Sequence, residues 1–172
     1  MPDQQEHDSA RAGQFADLSA LLTGFGRIEL LGTGMASSYL RAIDAVLPEG
    51  VLDEVLGAFG RLPPGTDPGA RDAALRSSIL DDPKLGPVAR NLIVVWYCGT
   101  WTALPDAWRA AYGTSPLDTD RVLSAESYQA GLQWVAAGAH PAGALQQGYG
   151  AWSAAPVAAP AAAPVAAPEG AR

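Results

Sequence analysis

The sequence predicts a mainly α-helical protein, a single small helical domain with long loops and a disordered tail rich in alanine and proline. Apolar side chains recur at helical spacing in several segments. No segment shows the clear alternation of apolar and polar residues that marks a half-buried strand. From residue 151 onward the chain is mostly alanine and proline, and proline recurs at every fourth position between 156 and 168. That spacing prevents a stable helix and favours an extended or disordered tail.

The first half of the chain predicts four helices. The first begins near Phe15 and ends at Gly24, because glycine is favoured just after a helix C-terminus. Pro48 stops the second helix, and three prolines make residues 62–68 a loop. The four expected helices span about 15–24, 37–47, 50–60 and 70–80.

The second half contains the longest apolar run, which ends at Trp96 and Tyr97. A strand is possible there, because the run is rich in strand-forming residues. A helix is favoured, because the apolar spacing continues upstream to Leu85. Residues 102–123 are expected to form a long loop, and Ser124 is expected to cap a last helix that ends near residue 138.

Length and composition limit the domain count and the class of partner. The 172 residues suit one domain, with a flexible N-terminus over 1–13, a helical domain over 14–153 and the Ala/Pro-rich disordered tail over 154–172. The net charge of −7 argues against nucleic-acid binding, which needs a clustered basic surface. No run reaches the roughly 20 apolar residues of a transmembrane segment. The N-terminus shows no signal peptide, so the chain is expected in the cytoplasm as the sequence stands, and in the periplasm if it is exported with a partner.

A search for an active site yields no catalytic or metal-binding residue. His140 precedes a proline at a helix end, and a capping or interface role is favoured over that of a general base or metal ligand. Cys98, the single cysteine, follows an apolar run, and burial makes a thiol inert. The carboxylate pairs, such as Asp118 with Asp120, are interpreted as caps and surface charge. The segment 32–34 (Gly-Thr-Gly) lacks the preceding strand and third glycine of a dinucleotide loop.

The aromatic residues are the remaining signal. All five tryptophans lie in the second half of the chain, and core packing is the simpler explanation for Trp96 and Trp134. Trp101, Tyr149 and Trp152 flank glycines and loops, where large aromatic side chains often anchor a protein interface. The expectation is that Trp101→Ala weakens partner binding more than folding.

Four stretches of the chain resemble the small subunit of bacterial membrane-associated, FAD-dependent sugar and polyol dehydrogenases, such as the sorbitol, fructose, gluconate and glucose dehydrogenase complexes. They are residues 15–24 (Phe-Ala-Asp-Leu-Ser-Ala-Leu-Leu-Thr-Gly), the helix of Tyr39, the segment 96–101 (Trp-Tyr-Cys-Gly-Thr-Trp) and a C-terminal signature. The signature consists of Tyr128 to Trp134, His140-Pro141-Ala142-Gly143, Tyr149, Trp152 and Pro156.

The resemblance implies an accessory subunit without a cofactor of its own. In that family a separate large subunit of the glucose-methanol-choline oxidoreductase type holds FAD and oxidises the sugar or alcohol. Electrons then pass to a cytochrome c subunit or another acceptor. The small subunit is taken to support the folding, flavin loading or export of its partner. The implied partner-binding residues are Trp96, Tyr97, Gly99, Trp101, Trp134, His140, Pro141, Gly143, Tyr149 and Trp152.

This sequence departs from the family pattern in two places. Family members carry a twin-arginine signal, which is not seen here, and their last aromatics are adjacent, whereas Gly150 and Ala151 separate Tyr149 from Trp152. Two other hypotheses remain open. One is a small cofactor-free enzyme that uses His140 with Cys98 or a carboxylate. The other is a stand-alone helical module tethered by its tail.

Overall fold

The computed structural model describes residues 2–113 and 115–141, with side chains from residue 9 onward, and over this part the predicted mainly helical fold is confirmed. These residues belong to one compact unit, which extends to Pro141. The predicted boundary at 153/154 and the tail 154–172 lie outside the described residues. The elements, in chain order, are α1 (Pro2–Thr23), α2 (Arg27–Gly32), α3 (Ala36–Val46), α4 (Val51–Gly60), α5 (Pro68–Leu75), a π-helical turn (Arg76–Leu80), α6 (Leu85–Cys98), β1 (Thr100–Trp101), α7 (Asp106–Tyr112), β2 (Arg121–Val122), α8 (Ala125–Gln129) and α9 (Leu132–Ala136).

Helix α6 occupies the centre of the core, so the favoured helix at the apolar run is confirmed. It packs against α1, α4, the π-helical turn, α8 and α9. The ring of Trp96 lies 6.4 Å from that of Phe15 on α1, and it meets the ring of Tyr39 on α3 edge to face at 4.9 Å. Three helices are therefore joined around one buried tryptophan.

Helix α1 begins at Pro2, so the expected start near Phe15 is wrong. Its first half carries no apolar stripe that could have indicated a helix. Proline suits a first helical position, and the glutamines, alanines and arginine that follow are compatible with a helix. The predicted end is correct, because Gly24 follows the helix with a φ of 77°.

The second, third and fourth expected helices are present. The structure adds two features that the sequence did not predict, the short helix α2 and a π-helical turn. Helix α2 lies between Gly26 and Thr33, and the carboxylate of Glu29 accepts the N–H of Gly26 at its start. The helix expected up to residue 80 ends in a π-helical turn, in which the N–H of Asp81 bonds the carbonyl of Arg76 at 2.8 Å.

The expectation of a long loop over 102–123 is also wrong. This segment contains helix α7, whose buried side chain is Trp108, and strand β2. Strand β2 pairs antiparallel with β1, with Thr100 opposite Val122. Both strands have two residues, which is too short to show an alternating pattern.

Ser124 caps a helix as predicted, since its hydroxyl accepts the N–H of Ser127 at 3.0 Å. The expected single helix is nevertheless two, α8 and α9, separated at Ala130 and Gly131. Gly138 stands where the end was expected, with a φ of 62°. No helix in the described part of the chain is long and apolar enough to cross a membrane.

Candidate partner-binding surface

Gly99 brings the end of α6 into contact with α8. It ends the helix in the left-handed region, with a φ of 67°, a conformation that glycine adopts without strain. A side-chain carbon at this position would lie 2.4 Å from the carbonyl carbon and oxygen of Ser127. Glycine is therefore required here by both its backbone conformation and its close approach to α8.

Ser127 joins three helices at this point. It is fully buried, and its hydroxyl lies 3.0 Å from the carbonyl oxygen of Gly99 and 2.7 Å from that of Ser124. Its own carbonyl accepts a long hydrogen bond, 3.4 Å, from the hydroxyl of Tyr39. Burial of Tyr39 raises the pKa of its phenol to about 12.

Gly131 makes a second close approach to α6. A side-chain carbon there would lie 2.7 Å from the carbonyl oxygen of Tyr97 and 3.3 Å from that of Tyr128. This contact explains why the predicted last helix is divided, since the chain must turn where it meets α6. The segment 96–101 and the start of the C-terminal signature therefore lie against each other in the fold.

Tyr128 and Trp134 form an aromatic pair beside Gly131. The rings of Tyr128 and Trp134 meet edge to face at 5.3 Å, and the indole N–H of Trp134 donates to the carbonyl of Tyr128 at 2.7 Å. Both side chains are half-buried. Half-buried Tyr97 lies nearby on α6, where its hydroxyl donates to the carbonyl of Thr23 and its ring contacts Phe25 at 6.0 Å.

The residues that follow Trp134 face outward. Val135 is 69% exposed, and residues 136–140 are exposed as well. The chain turns back at the end of α9, where Gly138 donates to the carbonyl of Val135 and Ala139 to that of Trp134. Residues 130–141 contain no lysine, arginine, aspartate or glutamate. We call half-buried Trp134 with exposed residues 135–140 the neutral surface.

Two of the expected interface residues are instead part of the core. Trp101 is fully buried and Trp96 is 1% exposed, so neither side chain is accessible to a partner in this fold. The indole N–H of Trp101 donates to Asp118, which is itself 2% exposed. The expectation of a Trp101 interface anchor is therefore wrong, as is the interpretation of Asp118 as a cap or surface charge.

The other predicted residues differ in exposure. His140 is exposed and Pro141 is buried. Gly99 lies against Ser127 of α8, and the carbonyl of Tyr97 lies against Gly131. Gly143, Tyr149 and Trp152 lie outside the described residues.

Sequence reasoning missed the roles of Ser127, Gly131 and Asp118. Of these three, only Gly131 could have been found from the sequence, because a glycine inside a helical pattern indicates a break or a close contact. The buried positions of Ser127 and Asp118 depend on contacts with Gly99 and Trp101, which are distant in sequence.

The two groups considered for catalysis differ in exposure. Cys98 is half-buried rather than fully buried as expected, and His140 is exposed. Within the described residues no group of three or more histidine, cysteine, aspartate or glutamate side chains could hold a metal ion.

No protein-family model, curated protein or solved structure matches this chain. Its function is therefore inferred from its residues and their geometry.

Proposed function

We propose that this chain is a non-catalytic accessory subunit of a bacterial FAD-dependent sugar or polyol dehydrogenase. Its partner would be a catalytic large subunit of the glucose-methanol-choline type, which would hold the FAD and carry out the oxidation. A cytochrome c subunit is a further candidate member of the complex. The accessory chain would help its partner to fold, acquire flavin or be exported.

The observation that carries the proposal is the contact between two segments of the motif pattern that are distant in sequence. The carbonyl of Tyr97 lies against Gly131, and Gly99 lies against Ser127. Two of the stretches that carry the resemblance, residues 96–101 and the start of the C-terminal signature at 128–134, are thus in contact at the end of α6. Beside it lies the neutral surface, which has no lysine, arginine, aspartate or glutamate although the whole chain has a net charge of −7.

The chemistry of the neutral surface favours a protein partner with an uncharged, apolar face. Exposed Val135 and half-buried Trp134 would gain about 25 cal/mol for each Å² of apolar area removed from water. An uncharged contact also avoids the desolvation cost of burying an ionised side chain. A stable interface buries about 800 Å² on each partner, and His140, Tyr149 and Trp152 are proposed to supply further contacts.

The first test is a search for a gene of a glucose-methanol-choline-type flavoprotein beside the gene of this chain. The two proteins are then co-expressed and purified through a tag on this chain. The proposal predicts a yellow complex with flavin absorbance and sugar or polyol dehydrogenase activity with an artificial dye as acceptor. A colourless monomer, together with a flavoprotein that is soluble, flavin-loaded and active alone, would contradict the proposal. In that case, loss of an activity of the chain itself in His140→Ala would favour the enzyme hypothesis.

A further inference from the structure

Residues 9–14 of α1 are not part of the core. No side chain of residues 9–14 is buried. The core begins at Phe15, which is fully buried, and continues with Ala16, Leu18 and Ser19. Apolar burial therefore holds the second half of α1 in place but contributes little to residues 9–14.

Arg11 makes the ionic contacts of this stretch, and it does so with two other helices. Its guanidinium donates two hydrogen bonds to Asp44 on α3 and one of 2.7 Å to Asp53 on α4. The side chains of Asp44 and Asp53 are 41% and 60% exposed. The Arg11 side chain itself is 20% exposed. Salt screens ion pairs with such partly exposed carboxylates.

A groove lies between this stretch and α4. Ala10, Arg11 and Gln14 line one side, and Asp53, Leu56 and Gly57 line the other, around a volume of about 460 Å³. Gly57 places no side chain in the groove. The hydrogen bond from Arg11 to Asp53 links its two sides.

We propose that residues 9–14 are a strap, latched by Arg11, that unwinds and detaches from α3 and α4 while residues 15–23 of α1 stay helical and packed. Detachment ends before Phe15, because that side chain is held in the core against Trp96. It opens the face of α4 that carries Asp53, Leu56 and Gly57 and frees the carboxylates of Asp44 and Asp53. The strap closes when the guanidinium bridges those two carboxylates. This inference is independent of the proposed function.

The test is amide hydrogen exchange of the full chain, followed by mass spectrometry of peptides that separate residues 9–14 from 15–23. Raising NaCl from about 0.1 M to about 1 M shortens the screening length from about 10 Å to about 3 Å. In the wild type this should speed exchange in residues 9–14 roughly five-fold, a factor in keeping with the loss of partly exposed ion pairs. Exchange in 15–23 and in α6 should stay unchanged.

Arg11→Gln should produce the same increase at low salt and remove most of the salt dependence. Lys84→Gln is the matched control. It removes an ion pair of similar exposure, to Glu54 on α4, that does not involve α1. This control should leave exchange in residues 9–14 as in the wild type.

Two results would overturn the strap. One is exchange in residues 9–14 that is as slow as in 15–23 at every salt concentration and in Arg11→Gln. The other is an Arg11→Gln variant in which 9–14, 15–23 and α6 all exchange faster together, because Arg11 would then stabilise the whole domain.

Discussion

The indole N–H of Trp101 donates to the carboxylate of Asp118 at 2.8 Å, and both side chains are buried. The same carboxylate accepts the backbone N–H of Leu104 at 3.0 Å. One buried aspartate therefore fixes the short strand β1 and the chain that leaves it. Because a buried carboxylate without partners is costly, this arrangement also explains why Trp101 faces inward rather than toward a partner.

Asp118→Ala should lower the free energy of unfolding by about 2–4 kcal/mol, since it leaves two buried N–H groups without an acceptor. Urea unfolding followed by tryptophan fluorescence measures this loss. Asp120→Ala is the matched control, because Asp120 also accepts a backbone N–H, that of Ala103 at 2.6 Å, but is exposed. Its expected cost is below about 1 kcal/mol. Equal losses in the two variants would contradict the structural role of Asp118.

Gly99→Ala should destabilise the domain by more than about 3 kcal/mol. The added carbon would meet the Ser127 carbonyl at 2.4 Å, in addition to the cost of about 1–2 kcal/mol for a left-handed residue with a side chain. Gly138→Ala separates the two effects, because Gly138 has a similar φ but open space around it. In thermal or urea unfolding, the free energy of unfolding of Gly138→Ala should fall only by the cost of the left-handed backbone conformation. If both variants lost the same stability, the close packing of Gly99 on α8 would be wrong.

Stability should fall with rising pH between about 10 and 12 through Tyr39. Burial raises the folded-state pKa of its phenol to about 12, above the unfolded value of about 10. The unfolded state thus loses its proton first, so the contribution is complete below pH 10 and is lost as the pH rises through the folded pKa. The loss should reach on the order of 2 kcal/mol.

Urea unfolding at a series of pH values tests this contribution, with Tyr39→Phe as the comparison. The phenylalanine variant has no phenol to ionise and should show a shallower decline above pH 10. At neutral pH it should lose little stability, because the bond from Tyr39 to Ser127 is long, at 3.4 Å. Parallel curves for the two proteins would show that Tyr39 ionises equally easily when folded and unfolded.

Helices with an apolar stripe and a glycine or proline boundary were predictable from the sequence. Helix α3 ends before Pro48, and α1 ends before Gly24, as expected. The start of α1 was missed because residues 2–14 have no apolar stripe. Helix α7 was missed because it has a single buried side chain, that of Trp108, whose indole donates to the carbonyl of Lys84.

The candidate site was predictable as two segments but not as a surface. Aromatics beside glycines marked both segments in the sequence, yet their inward or outward direction depends on tertiary contacts. Trp101 faces inward because Asp118 is there to accept its N–H, and Gly131 interrupts a helix because it meets Tyr97. Val135 lies on α9, the short helix that follows this interruption, and its exposure could not be predicted from the sequence.

The most direct test of the proposed partner-binding role compares Val135→Lys with Ile28→Lys in the co-expressed complex. Both side chains are highly exposed, at 69% and 85%, so both variants should fold. Ile28 lies on α2, outside the neutral surface. Val135→Lys would force a charge into the interface, and it should reduce flavin co-purified through the tag at least ten-fold, whereas Ile28→Lys should retain it. Full flavin recovery with Val135→Lys, or equal loss in both variants, would contradict the neutral surface as the binding site.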